Sequence, residues 1–365
     1  MRTYMNRILL CTACLLFAFR AQVSAGTWAV TNLAPAGALH SYACGVSGGQ
    51  QVGFGFVGAF LHAGLWNGTA ASWVELNPSA ESYSEALGTS GDQQVGFTIL
   101  GSGEHASLWS GSAASWVDLN PTGAVHSSAV GVFADRQVGY ATVGNASHAA
   151  LWRGTAASWI DLHPDGATSS YAAGISNDQQ VGFARIGSSP HASLWSNSAA
   201  SWVDLNPDGA TNSYATGVSG GQQVGFATIG SNPHAGMWSN SAASWVDLNP
   251  DGATRSYVRS ISGGWQAGYA MIDGIDHAGV WSGTAATWVD LGALLPSGVY
   301  SYSQAQSVDV SGGDIWVAGY AHNVSLNRSE AMLWHSTVPE PSSLLAMIGA
   351  LTTCAGLAIR RRRTT

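Results

Sequence analysis

Short runs of alternating side chains, rather than helical stripes, dominate the body of the chain. Residues 222–229 place Val224, Phe226 and Thr228 on one side and Gly225, Ala227 and Ile229 on the other, the period of two that a strand requires. A second run, 213–219, is rich in β-formers and is joined to the first by Gly220-Gly221, a dipeptide suited to a tight hairpin. Gly230-Ser231-Asn232-Pro233 marks the next turn, followed by a third run at 234–239 and a fourth at 244–248. The pattern therefore predicts four short antiparallel strands. Neither side of the alternation is charged, which excludes a sheet with one solvated face. No stretch carries an apolar period of 3.6, and the frequent glycines work against helix throughout.

This unit recurs. The motif His-Ala-x-(Leu/Met/Val)-Trp starts at His62, His105, His148, His191, His234 and His277, in constant steps of 43 residues. Trp-(Val/Ile)-(Asp/Glu)-Leu starts at Trp73, Trp116, Trp159, Trp202, Trp245 and Trp288 with the same step. A Gln-Val-Gly-Phe type strand precedes the first motif, at Val52, Val95, Val138, Val181 and Val224, with Ala267 and Ala318 as late variants. Fixed-period self-similarity overrides the two-domain expectation that 365 residues would raise. Four strands in 43 residues match one propeller blade of ~40–45 residues. The Val and Phe side of one blade would rest against the Gly and Ala side of the next. The coil of a β-helix would be shorter. The chain ends complement each other: Trp28 opens a degenerate fourth strand, and Ala331-Met332-Leu333-Trp334 ends a set of three that lacks the histidine. Joined, they make a seventh blade and leave no exposed sheet edge.

Composition narrows the class. The chain is 46% hydrophobic, with 46 Gly, 16 Trp and no lysine, which excludes disorder. The glycines have no three-residue period, which excludes a collagen-like chain. Between Gly26 and Val338 six arginines face 20 acidic residues, a net charge of −14 that repels phosphate backbones and excludes a nucleic-acid partner. Of four cysteines only Cys44 lies in the body, so there is no disulfide framework. Cys44 reads as a small buried residue.

The two ends read as addresses. Residues 1–25 have Arg2 and Arg7, an apolar stretch at 8–19, and Val23-Ser24-Ala25 as a small-residue cleavage site after Ala25: a signal peptide. At the other end, Pro339-Glu340-Pro341 precedes an uncharged run at 342–359, long enough to span a bilayer at ~1.5 Å per residue, and then Arg360, Arg361, Arg362 and Arg363. This tail, 338–363, closely resembles the PEP-CTERM sorting signal. The resemblance implies an exosortase-type membrane protease and signal peptidase as processing partners, membrane attachment through the helix before processing, and delivery to the cell surface or surroundings. The repeats at 28–334 resemble the HAF family of bacterial extracellular repeat proteins, with Leu-Trp where Phe is common. That resemblance implies an extracellular setting and no catalytic residues.

Candidate chemistry is sparse. Six histidines at equal repeat positions stand in different blades, too far apart to converge on one metal ion within ~2.0–2.2 Å; a hydrogen bond to a turn inside each blade accounts for them better. Asp204-x-Asn206-x-Asp208-Gly209 and Asp247-x-Asn249-x-Asp251-Gly252 resemble the start of a calcium loop. They lack the twelfth-position glutamate, and Asn-Pro-Asp-Gly is a ready type I turn. Trp265 and Trp316 fall outside the repeated motifs and are candidates for sugar stacking. Asp273, Asp276, Asp309, Asp314 and Glu330 are singletons in no known catalytic motif. The last repeat is ten residues longer than the others between its tryptophans, Trp288 and Trp334, and irregular loops on a rigid scaffold are where a site is expected.

The expected architecture is all-β: a seven-bladed β-propeller of 43-residue four-stranded repeats at 26–337, closed by its N- and C-terminal strands. It lies between a signal peptide at 1–25 and a sorting signal with a transmembrane helix at 338–365. The expected role is an exported, surface-sorted, non-catalytic repeat protein, structural or interacting, in the cell envelope or matrix, with no cofactor and no metal. The alternatives are a propeller that binds exopolysaccharide or another ligand, with calcium assisting, and a polysaccharide hydrolase.

Overall fold

The computed structural model describes residues 27–79, 83–101 and 103–337. Ala29–His335 form one compact unit, the larger of the two into which the chain divides. Ala25, Pro339, Glu340, Pro341, the expected membrane helix and Arg360 to Arg363 lie outside the described residues. Among the described residues no helix is long and apolar enough to cross a membrane.

The larger unit is a seven-bladed β-propeller. Its seven sheets each have four antiparallel strands. The innermost strands, in order from blade 1 to blade 7, are Ser41–Ser47, Tyr83–Ser90, Ala124–Phe133, Ala167–Ser176, Ala210–Ser219, Arg255–Ser262 and Tyr300–Ser311. Each packs against the next, and the first packs against the last, so the ring is closed. Six blades take their four strands consecutively from the chain. The seventh takes its outermost strand, Ala29–Asn32, from the N-terminal end, paired in register with Arg328–Thr337 from Ala29↔His335 to Asn32↔Met332. The closure expected from the sequence is present. Its register differs from that expectation: Thr31 and Asn32 stand where Val74 and Glu75 stand in blade 1. It is therefore Leu33, not Trp28, that repeats the motif, and Leu33 is fully buried as Leu76 is.

Blade 5 shows how the local sequence builds the unit. Its strands are Ala210–Ser219, Gln222–Ile229, Asn232–Trp238 and Val246–Asp247. Gly220 and Gly221 join the first two at φ +57° and +78°, the positive pair that a type I′ hairpin needs. The fourth strand is shorter than its sequence suggests, because Ala242–Ser244 form a 3₁₀ turn. Ser244 closes that turn: its Oγ accepts from the Ser239 amide at 2.7 Å and donates to the Ser241 carbonyl at 2.6 Å. Seven such 3₁₀ turns are the only helical elements among the described residues.

Packing between blades follows the tryptophans. Trp66, Trp109, Trp152, Trp195, Trp238, Trp281 and Trp334 are all fully buried. Trp195 of blade 4, with Ala172 and Ile175, packs onto Val138, Ala149, Leu151 and Leu162 of blade 3. Trp238 makes the equivalent contacts one blade on. The glycines have a different task from the one the alternation suggests. In every blade the innermost strand carries a register shift, as between Ala215 and Gly217, and this bulge pushes a carbonyl toward the second strand. A Cβ on Gly225 would overlap the Tyr214 carbonyl oxygen, and the same collision awaits Gly53, Gly96, Gly139, Gly182, Gly268 and Gly319. The glycine accommodates its own blade, not the neighbouring one.

Candidate functional site: the central channel

The repeated polar residues join into one network per blade junction. In blade 4, His191 Nδ1 lies 2.7 Å from Asp204 Oδ2, and Asp204 Oδ1 accepts from the Asn206 amide at 2.8 Å. Asn206 Oδ1 accepts from Ser213 Oγ of blade 5 at 2.6 Å, and that same Oγ accepts from the Ala192 amide at 2.9 Å. His–Asp pairs recur at 2.7–2.8 Å in blades 2, 3, 5 and 6, and His62 faces Glu75 at 3.1 Å in blade 1. In blade 7 the polarity is exchanged: Glu330 stands in the histidine's place and accepts from Asn32 Nδ2 at 2.9 Å. The histidine's partner is thus the carboxylate that caps the turn, a refinement of the expected contact with the turn itself.

This network also uses the oxygens of the calcium-like loops. Asp204 is held by His191 and its own turn, while Asn206 is held by Ser213 and donates to the Ala210 carbonyl at 3.3 Å. Among the described residues no three His, Cys, Asp or Glu side chains converge as metal ligands. Sequence reasoning missed the serine. It occupies one position of every innermost strand, Ser41, Ser84, Ser127, Ser170, Ser213, Ser256 and Ser303, and in each case its hydroxyl receives an alanine amide of the preceding blade. Its fixed spacing was the available signal.

Four of the five singleton acids, Asp276, Asp309, Asp314 and Glu330, are engaged separately. Asp276 faces Arg255 at 3.3 Å and accepts from Gln304 at 2.9 Å. Asp314 meets His335 at 2.9 Å, and Asp309 accepts from the Gly48 amide and Ser311 Oγ, both at 2.8 Å. Trp316 is covered by the His335 ring, stacked at 3.8 Å, and it and Trp265 are both half-buried. The long last repeat does form a cavity, about 270 Å³, between Asp276, Pro296, Tyr300 and Tyr302.

A larger cavity, about 560 Å³, is the channel on the ring axis. One residue per blade lines it at the level of the bulge: Cys44, Leu87, Val130, Ala173, Thr216, Arg259 and Gln306. Four of these are apolar or weakly polar and adjacent, and three are polar and adjacent, so the sevenfold wall has two unlike halves. Cys44 is half-buried and faces this channel, where a small buried residue was expected; burial, and then the charge of Glu85, push its thiol above the usual range, so it stays protonated. Two residues before the wall positions Cys44, Thr216 and Arg259, the side chains of Tyr42, Tyr214 and Tyr257 belong to rows of paired aromatic rings, Tyr42 against Phe54 and Tyr320, Tyr214 against Phe183 and Phe226, and Tyr257 against Phe226 and Tyr269, at 4.8–5.0 Å.

Besides Asp309, which also lines the channel, charge enters at two positions, Glu85 in the aromatic row and Arg259 in the wall. Glu85 of blade 2 stands where four other blades have tyrosine. Burial, and then the charge of Glu104, raise its carboxyl to about 7, and Glu104 accepts from Tyr140 Oη at 2.9 Å. Arg259 of blade 6 lies over Tyr257 and Tyr269, 5.7 and 5.4 Å from their ring centres, and donates to Tyr269 Oη at 3.1 Å. It has no ion-pair partner among the described residues, and its Nε is buried without an acceptor. Blades 2 and 6 are three steps apart in a ring of seven, the greatest separation it allows.

No protein-family model matches the chain, and no curated protein matches it. Solved structures share its fold. A puromycin hydrolase variant is similar over 79% of this chain and 53% of its own, at 11% identity and a TM-score of 0.55. An acylaminoacyl peptidase from Pyrococcus horikoshii is similar over 84% and 53%, at 9% identity and 0.52. An acylaminoacyl peptidase in complex with Z-Gly-Gly-Phe-chloromethyl ketone is similar over 84% and 54%, at 9% identity and 0.51. The chain spans about half the length of these peptidases, and at such identities the likeness carries the propeller fold alone. The expected role as a non-catalytic structural or interaction protein of the envelope or matrix is corrected by this result: the structures compared above are peptidases that carry a propeller, and what they share with this chain is the propeller fold, not a role. The physical reason is that the repeats encode blade packing. A residue that recurs seven times to build a blade says nothing of what the assembled ring does.

Proposed function

We propose that the chain is an exported propeller that binds short peptides in its central channel. The observation that carries this reading is the channel wall. Each innermost strand pairs on one side only, and its other edge borders a cavity of about 560 Å³; in blades 7 and 1 the Val308, Val310 and Val46 amides are taken by serines of the preceding blade. An extended peptide satisfies such an edge with its own main chain. Side-chain selection would then fall to the two unlike halves of the wall. Export is supported by residues 1–25, and sorting by Pro339-Glu340-Pro341, with an exosortase-type protease as the processing partner. Fractionation of cells with and without that motif tests the address.

Titration of the full-length chain with tri-alanine, followed by calorimetry, tests the channel. Binding is expected, and Ala173→Trp, which fills the channel from a small wall position, is expected to weaken it at least tenfold. Binding unchanged by that substitution would place the ligand elsewhere.

A further inference from the structure

The channel reading leaves one group unexplained: a cation in the wall that forms no ion pair among the described residues, since Asp309, the acid that lines the same channel, is held by the Gly48 amide and Ser311 Oγ. Arg259 is the only basic residue lining the channel, and the body around it carries a net charge of −14. A guanidinium has five N–H donors; one is used, toward Tyr269 Oη. Nε is buried with no acceptor, a cost that a buried donor normally avoids. The two tyrosine faces hold the group in place but accept no hydrogen bond from its remaining edge.

At the level of the bulge its neighbours in the ring are polar, where blades 1 to 4 carry Cys44, Leu87, Val130 and Ala173. Thr216 and Gln306 flank it in the ring of lining residues. Next to it, Ser260 and Ser307 replace the glycine found at that position in blades 1 to 5. Their hydroxyls accept from the Val308 and Val46 amides at 3.3 and 3.2 Å. The sector from blade 6 to blade 1 is thus built differently from the rest of the ring.

We infer that Arg259 is the anchor for a free carboxylate, the C-terminal end of the peptide in the channel. This rests on the channel reading and names the end of the ligand it selects. A planar guanidinium matches a planar carboxylate through paired N–H donors. A single positive charge within an acidic body suits a monoanion, whereas a phosphate dianion would meet the field of the whole molecule. With the channel wall apolar at Leu87, Val130 and Ala173, the remaining main chain and small side chains of the peptide lie toward that half.

The test compares tri-alanine with tri-alanine amide on the unmodified full-length chain, beside inorganic phosphate. The free acid is expected to bind at least tenfold more tightly than the amide, and phosphate more weakly than either. Arg259→Met is expected to abolish the difference between acid and amide, and Arg259→Lys to restore part of it; melting curves confirm that both variants fold. Equal binding of acid and amide overturns the anchor while leaving the channel reading intact. Failure of both to bind removes the channel reading and the anchor with it. Tightest binding by phosphate overturns the choice of a carboxylate.

Discussion

At the scale of single residues, the glycines separate into two kinds that a sequence shows as one. Gly225 has ordinary backbone angles and no room, because the bulged innermost strand directs the Tyr214 carbonyl at the space a Cβ would fill. Gly209 has room and φ +81°. Gly225→Ala is expected to cost about 3 kcal/mol, as overpacking against rigid backbone does, whereas Gly209→Ala is expected to cost about 1 kcal/mol for the conformation alone. Denaturant titration of the two variants checks the order, and equal losses would refute the collision. Glu85 supplies a pH prediction at the same scale. Its folded carboxyl lies at about 7, above the ordinary 4.5, so the folded state holds a proton that the unfolded state releases. Stability is then fully present below 4.5 and is lost as pH rises through 7. Glu85→Gln, which cannot ionise, is expected to melt higher than the parent at pH 8 and close to it at pH 4.5. A constant difference across that range would show that the group does not titrate in the fold.

At the scale of the blade, the junction network explains why four polar residues recur with the tryptophans. Ser213→Ala leaves the buried Ala192 amide without its acceptor and the half-buried Asn206 Oδ1 without its donor; a loss of about 1–3 kcal/mol is expected. His191→Ala touches only the partly exposed Asp204 end and is expected to cost less, about 1 kcal/mol. Since both belong to one chain of hydrogen bonds, the double variant should lose less than the sum, which a double-mutant cycle measures. Blade count, strand order and the inter-blade tryptophans were legible in the sequence, because a 43-residue period and an alternation of two survive any choice of loop. The channel wall was not. The bulge beside Cys44 shifts register between Ala43 and Gly45, so position 44 leaves the alternation and turns toward the axis. By period, Cys44 and its counterpart Arg259 read as ordinary strand residues, and nothing local marks them as facing a cavity.

At the scale of the whole molecule, the ring depends on one short strand from the far end of the chain. Ala29–Asn32 covers the outer edge of the last third strand, Leu33 is fully buried in the cluster that joins blades 7 and 1, and Asn32 ties to Glu330 at 2.9 Å. Without that strand the edge of Arg328–Thr337 is open, and Glu330, whose side chain is 3% exposed, loses one of the donors that offset its burial. The energetic cost is not confined to blade 7. In a closed ring every blade packs on two neighbours, so a loosened seventh blade frees one face of blades 6 and 1 as well. Deleting residues 27–34 is therefore expected to lower the melting temperature sharply in a single cooperative step and to promote association through the open edge. Asn32→Ala, which keeps the strand and Leu33, is expected to cost only about 1–2 kcal/mol. Calorimetry with light scattering distinguishes the two: a deletion variant that melts with the parent would mean that the ring is held by its blade interfaces alone.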